Sequence, residues 1–215
     1  KRGKISCAEI KKEGLINVKN VISKNYHFSY PNIFTLKNKI FMIPETAEKK
    51  RVELWVCKKF PEKWKLYKTI FKNESWVDLN FFEDKKGDKW LFGNKSSDKY
   101  FDHNSELYIY KVADDNFNKL IPHEKNPVII DSRTARNAGK IFYNEKGELI
   151  RPSQINVYEK YGYGLNLNKI IKLNLKDYQE ITLKKVVNKK NSRLLGTHHF
   201  SLGDDSIYID KLFKF

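Results

Sequence analysis

Six arginines stand among 42 basic residues, at positions 2, 51, 133, 136, 151 and 193, and three of them fall within nineteen positions. A chain that otherwise uses lysine for positive charge has a reason to place Arg133, Arg136 and Arg151 where a planar, two-pronged donor is needed. They either clamp a phosphate or carboxylate ligand or make salt bridges to Asp131, Asp78 or Glu45. Asp78 lies between Trp76, Val77 and Leu79, company in which an unpaired carboxylate is costly. It therefore pairs with a cation or caps a turn. Glu45, after Pro44, is the second candidate acid or base, with an exposed strand end as the alternative. His198-His199 lacks a third ligand at a spacing suited to zinc, so one of the pair is expected to hydrogen-bond instead, and no metal or cofactor is expected. Tyr161-Gly162-Tyr163-Gly164 is either a stacking platform for a sugar ring or a loop packed on its own sheet. No GxSxG or Walker signature occurs, and the Gly-x-Gly at Gly162 lacks the third glycine of a dinucleotide site.

The elements that must position these residues read as strands. Alternating or aromatic-rich runs recur about every ten residues: 32–36, 39–43, 51–58, 64–70, 81–83, 89–93 and 106–112. Lys37-Asn38, 84–87, 145–147 and 203–205 carry the Gly, Asn and Asp residues that hairpin turns require. One short helical turn is expected at Leu173 to Tyr178. The chain is expected to be all-β.

With 215 residues, 40% of them hydrophobic and 14% aromatic, the chain can bury a core without disulfide staples. Cys7 and Cys57 fit neither a metal motif nor a disulfide framework, which points to two thiols in a reducing, cytoplasmic setting. No apolar run approaches the ~20 residues of a membrane span. A net charge of +16 invites a nucleic-acid reading, but the lysines are scattered beside abundant asparagine, as on solvated faces, so no nucleic-acid partner is expected. The start at Lys1 without methionine suggests that an N-terminal partner domain is missing.

Four segments share one plan of turn-like entry, apolar strand, polar hairpin and second aromatic strand. They begin at His27, Trp76, Ala135 and Gly196, and Phe34, Phe82, Phe142 and Phe200 align at spacings of 48, 60 and 58 residues. That is the length of a four-stranded propeller blade with its loops. The expectation is a five-bladed β-propeller: blades over 25–72, 73–125, 126–190 and 191–215, with 1–24 as outer strands of a first blade whose inner pair is absent.

The runs HFSYPNIF and IFMIPET (27–46), WVDLNFFEDKKGDKWLFG (76–93), NPVIIDSRTARNAGKIF with LIRPSQ (126–154), and GTHHFS (196–201) resemble the N-terminal propeller of glucosamine inositolphosphorylceramide transferases. That family includes bacterial relatives in surface-polysaccharide assembly. The usual Trp-Ala-Asp-Pro-Phe opening precedes the point where this sequence starts. The layout is more distantly similar to family-43 glycoside hydrolases, and that likeness implies a role for Asp78 as their second aspartate. It also places Asn137 where their general acid stands. An amide cannot donate and recover a proton, which puts glycosidase chemistry in doubt.

In a propeller, residues at the starts of the inner strands converge on one channel mouth. These are His27 and Tyr30, Asp78, then Arg133, Arg136 and Asn137, and finally His198; Glu45, Arg151 and Gln154, at the far ends of second strands, can approach. The expected function is binding of a carbohydrate, nucleotide-sugar or sugar phosphate in glycosyl transfer, with Asp78 and Glu45 as orienting or acid–base groups. A scaffold for an attached transferase domain and a diverged hydrolase are the alternatives.

Overall fold

The computed structural model describes residues 2–96, 102–157, 160–187, 194–203 and 206–213. The chain divides into two compact units, Lys1–Val77 and Asp78–Phe215. In the first, β1 (Ile5–Lys11) and β2 (Gly14–Ile22) form a hairpin, followed by an antiparallel sheet in sequence order, β3 (Ser29–Leu36), β4 (Lys39–Glu45), β5 (Val52–Lys59) and β6 (Lys63–Ile70). Lys37 and Asn38 both take left-handed angles, with φ of 47° and 59°, the two-residue turn that matches strand twist. A single 3-10 turn, Ala47–Lys49, links β4 to β5. Tyr26, Phe28, Met42 and Trp55 pack with Ile5 and Ile22 as the unit's core.

The second unit opens within β7 (Trp76–Glu83), which continues into β8 (Lys89–Lys95), β9 (Glu106–Val112) and β10 (Leu120–Pro122) of one antiparallel sheet; β11 (Ile129–Ile130) also pairs with β9. A second sheet runs β12 (Phe142–Tyr143), β13 (Leu149–Val157), β14 (Lys160–Leu173), β15 (Tyr178–Val187). β16 (Leu194–Gly196) pairs with β19 (Leu212–Phe213), while β17 (Phe200–Leu202) and β18 (Ile207–Ile209) form a last hairpin. Of the turn expected at 203–205, residues 204–205 lie outside the described residues.

β7 starts earlier than its sequence suggests because Trp76 to Phe82 are all buried, and a strand covered on both faces shows no alternation. Trp90, Phe92, Leu107 and Ile109 pack against Ala135, Ile141 and Ile170, so the five-stranded and four-stranded sheets lie face to face. Ala138, Leu165 and Phe200 continue the stack to the last hairpin, where the Phe142 and Phe200 rings are 5.7 Å apart and near parallel. Two of the aligned phenylalanines, Phe82 and Phe200, thus lie in successive inter-sheet clusters.

The repeat extends to the turns. Asp84 Oδ1 accepts from the Lys86 and Asp88 amides, and Asn144 Oδ1 accepts from the Lys146 and Glu148 amides. The helical turn expected at Leu173 to Tyr178 does not form: these two residues are a cross-strand pair closing β14 onto β15. Asn174 Oδ1 takes the Lys176 and Asp177 amides instead, the local competition by which asparagine favours turns over helix.

Candidate functional site

β7 carries a left-handed residue near its start, Asp78, with φ of 51°. Tyr30, also four residues before its aligned phenylalanine, has φ of 43°. Positive φ is uncommon outside glycine and most tolerated by Asp and Asn, so these two repeat-equivalent kinks mark the strand entries as special. The kink leaves the Asp78 side chain 4% exposed, with Oδ2 accepting from Arg136 Nε at 2.7 Å. Arg136 Nη1 donates to Asn104 Oδ1 at 2.9 Å, and its guanidinium lies 4.9 Å from the centre of the Tyr161 ring. Cation and π-face attract, and the contact holds the ring's orientation.

Tyr161 is half exposed and meets the His198 imidazole edge-on, ring centres 5.2 Å apart. This contact depends on Gly162, whose φ is +66° and on which a Cβ would approach the His198 Cβ to 2.9 Å. His198 Nδ1 is ion-paired with Asp210, whose Oδ1 also takes the backbone amides of His198 and His199 at 2.9 and 2.6 Å. Burial pushes the Asp210 carboxyl up, but these two amides, the His198 charge and the Thr197 hydroxyl together hold it below the usual carboxylate range. For His199 burial wins over the attraction of Asp210 and Asp78, and its pKa is lowered, favouring the neutral ring.

Behind this rim is a buried polar lattice centred on Asn137, which has no exposed surface. Its Nδ2 donates to the Asp78 and Phe92 carbonyls, its Oδ1 accepts from Arg151 Nη1, its amide donates to Asn94 Oδ1 and its carbonyl accepts from Gln154 Nε2. Every hydrogen-bonding group of the side chain is occupied. Arg151 is also fully buried: Nε and Nη2 fork onto Glu180 at 2.8 and 2.6 Å, and the remaining donors reach the Thr134 and Ala135 carbonyls. The pair raises the Arg151 pKa despite burial, and burial beside Glu180 pushes the Tyr178 phenol well up.

The second unit therefore brings together Asp78, Arg136, Asn137, Arg151, Gln154 and His198, through direct contacts or through Tyr161. Arg133 stands apart, largely exposed and forked onto Asp131. His27, Tyr30 and Glu45 belong to the first unit, where His27 Nδ1 accepts from the Gly3 amide at 3.0 Å and Glu45 lies opposite Ser29. Sequence reasoning passed over Asn104, Glu180 and Asp210. Asp210 was findable, since it directly follows the second strand of its hairpin, close to where Glu45 closes β4; Asn104, in a loop, carries no such signal. Among the described residues, no group of three or more His, Cys, Asp or Glu is placed to hold a metal ion.

A family model described as "Glucosamine inositolphosphorylceramide transferase 1, N-terminal" matches residues 1–200. Glucosamine inositolphosphorylceramide transferase 1 of Oryza sativa subsp. japonica is 32% identical over 162 residues, which is 74% of this chain and 21% of that protein. The chain thus spans about a fifth of the length of this curated relative. Among solved structures, a GH43 β-1,3-galactosidase is similar with a TM-score of 0.54 at 17% identity, over 93% of this chain and 40% of that one. An endo-arabinase from Bacteroides thetaiotaomicron gives 0.54 at 11% identity, over 100% and 95%. These likenesses show the fold alone, an all-β arrangement of the propeller type.

Proposed function

Because the chain belongs to the family of N-terminal domains of glucosamine inositolphosphorylceramide transferase 1, we propose that its second unit binds a carbohydrate or sugar phosphate and presents it for glycosyl transfer in surface-glycan assembly. The observation that carries this reading is the series Asp78–Arg136–Tyr161–His198–Asp210, in which five separate chain segments put a half-exposed aromatic ring between a fixed guanidinium and a fixed imidazole. A sugar ring would stack on the exposed part of Tyr161, with the positive charge of Arg136 close by for an anionic substituent. Asp78 acts here as the group that orients Arg136. His198, steadied by Asp210, would donate a hydrogen bond to the ligand through Nε2. The same reading takes the four aligned hairpins as inner strands of four blades in a five-bladed ring, bounded at residues 25, 73, 126 and 191. Two unpaired, half-buried cysteines suit a reducing, cytoplasmic setting.

Binding is favoured over hydrolysis by Asn137, a buried amide whose donors are spent on two carbonyls and which has no proton to lend. A thermal-shift screen with nucleotide-sugars and sugar phosphates tests the reading. A ligand at a hundred times its Kd adds about 2.7 kcal/mol of stability, a clear rise in Tm, and Arg136→Lys and Tyr161→Ala should each remove it. No rise with any compound, or a full rise in both variants, removes the proposal. Release of reducing sugar from a furanoside panel would restore the hydrolase reading.

A further inference from the structure

A second polar feature lies wholly within the first unit, outside the site above. The outer strand β6, the 3-10 turn at Ala47–Lys49 and the turn after β6 enclose an open groove of about 570 Å³, lined by Lys49, Lys50, Arg51, Lys68 and Lys72, with Tyr67 among the remaining residues. Five cations line it, and no carboxylate does. Arg51 is held from beneath: Nε and Nη2 fork onto Glu53, a carboxylate with no exposed surface that also takes the Tyr26 hydroxyl and the Trp55 indole. The groove's single guanidinium is thus fixed by a built network, while lysines supply its other charges. Tyr67 is about two-fifths exposed, and its ring is steadied edge-on by Phe41 at 5.4 Å.

We propose that this groove binds an acidic oligosaccharide. Its volume falls within the roughly 300–1,000 Å³ of small-molecule sites. Lysine ammoniums are point charges without a fixed fork, suited to carboxylates or phosphates spaced along a flexible glycan. One steadied aromatic ring offers one stacking face, enough for a sugar ring, whereas a single-strand nucleic-acid groove uses successive aromatic platforms. Insertion into a membrane interface takes protruding apolar side chains, and here Leu66 and Tyr67 line a concavity.

Calorimetric titration of the full chain with a short oligogalacturonate, with a neutral maltooligosaccharide as control, tests this. The expectation is saturable binding of the acidic sugar alone, weakened about tenfold by Lys49→Glu/Lys72→Glu. Both lysines are exposed, and Lys49 also lies 5.2 Å over the Tyr26 ring, so Tm should fall only slightly. Tyr67→Ser should weaken binding without altering its salt dependence. Arg136→Lys, in the other unit, should leave it unchanged, which separates failure of this proposal from failure of the preceding one. Equal affinity in wild type and the lysine double variant, or no binding at all, overturns it. Tighter binding of oligothymidylate or of phosphatidylserine vesicles, lost in the same double variant, would assign the groove to nucleic acid or to membrane and overturn it equally.

Discussion

Arg151 and Arg136 are fifteen positions apart, each paired with a carboxylate, yet they sit in opposite environments. Arg151 has no exposed side-chain surface and spends its donors on Glu180, two carbonyls and the Asn137 amide oxygen. Arg136 keeps 14% of its side chain exposed and lies over a half-exposed tyrosine. Of two similar ion pairs, the enclosed one ties β13 to β15, and the one at the rim keeps part of its side chain in solvent. A fully desolvated guanidinium with every donor used can fix geometry but cannot grip anything new.

The largest test of that contrast removes Arg151. Arg151→Met leaves Glu180 buried without its cation, and the expected loss is about 3–5 kcal/mol of unfolding free energy. Replacing both partners, Arg151→Met with Glu180→Leu, should recover most of the loss, because the charge left behind is what costs. Urea denaturation monitored by tryptophan fluorescence measures both. A loss equally large in the double variant would mean that the hydrogen bonds to Thr134, Ala135 and Asn137, rather than charge pairing, hold the lattice.

At the rim a smaller effect on stability is expected. Arg136→Ala exposes Asp78 to partial solvation and should cost about 1–3 kcal/mol, while any sugar-phosphate thermal shift disappears. Arg136→Lys should restore most of the stability by giving Asp78 a cation, but not the shift, since lysine has neither the second arm toward Asn104 nor the planar face over Tyr161. Recovery of both by lysine would place Arg136 in the same structural class as Arg151.

The repeat was readable because aromatic strands and Gly, Asn or Asp turns leave local marks: Phe82 and Phe142 stand two residues before turns of identical hydrogen bonding. The Asp78–Arg136 pairing was within reach because a carboxylate among apolar neighbours needs a cation. The lattice behind it was not. Abundant asparagine looked like compositional bias on solvated faces, yet Asn94, Asn137, Asn166 and Asn168 are buried, and an amide carries no charge to betray that it is inside. Nor does the spacing of Arg133, Arg136 and Arg151 distinguish an exposed side chain from a rim group or a lattice post. That division is made by strand register, which sets Arg151 opposite Asn168 on the neighbouring strand β14.

Proton linkage gives the finest probe of the rim. Burial lowers the His199 pKa from its ordinary 6.5, so below that value the unfolded chain binds a proton that the folded one resists. Stability contributed by the neutral ring is present above about pH 6.5 and is lost as pH falls through the folded pKa. Asp210, also held low, adds a second loss only as pH falls below its ordinary 3.8. Tm measured from pH 7 downward should therefore decline in two stages, and His199→Gln should flatten the upper stage while leaving the lower. Arg151→Met should lower the profile as a whole, since it leaves Glu180 buried without its cation. An unaltered upper slope in His199→Gln would assign that stage to another histidine and detach the rim from the acid response.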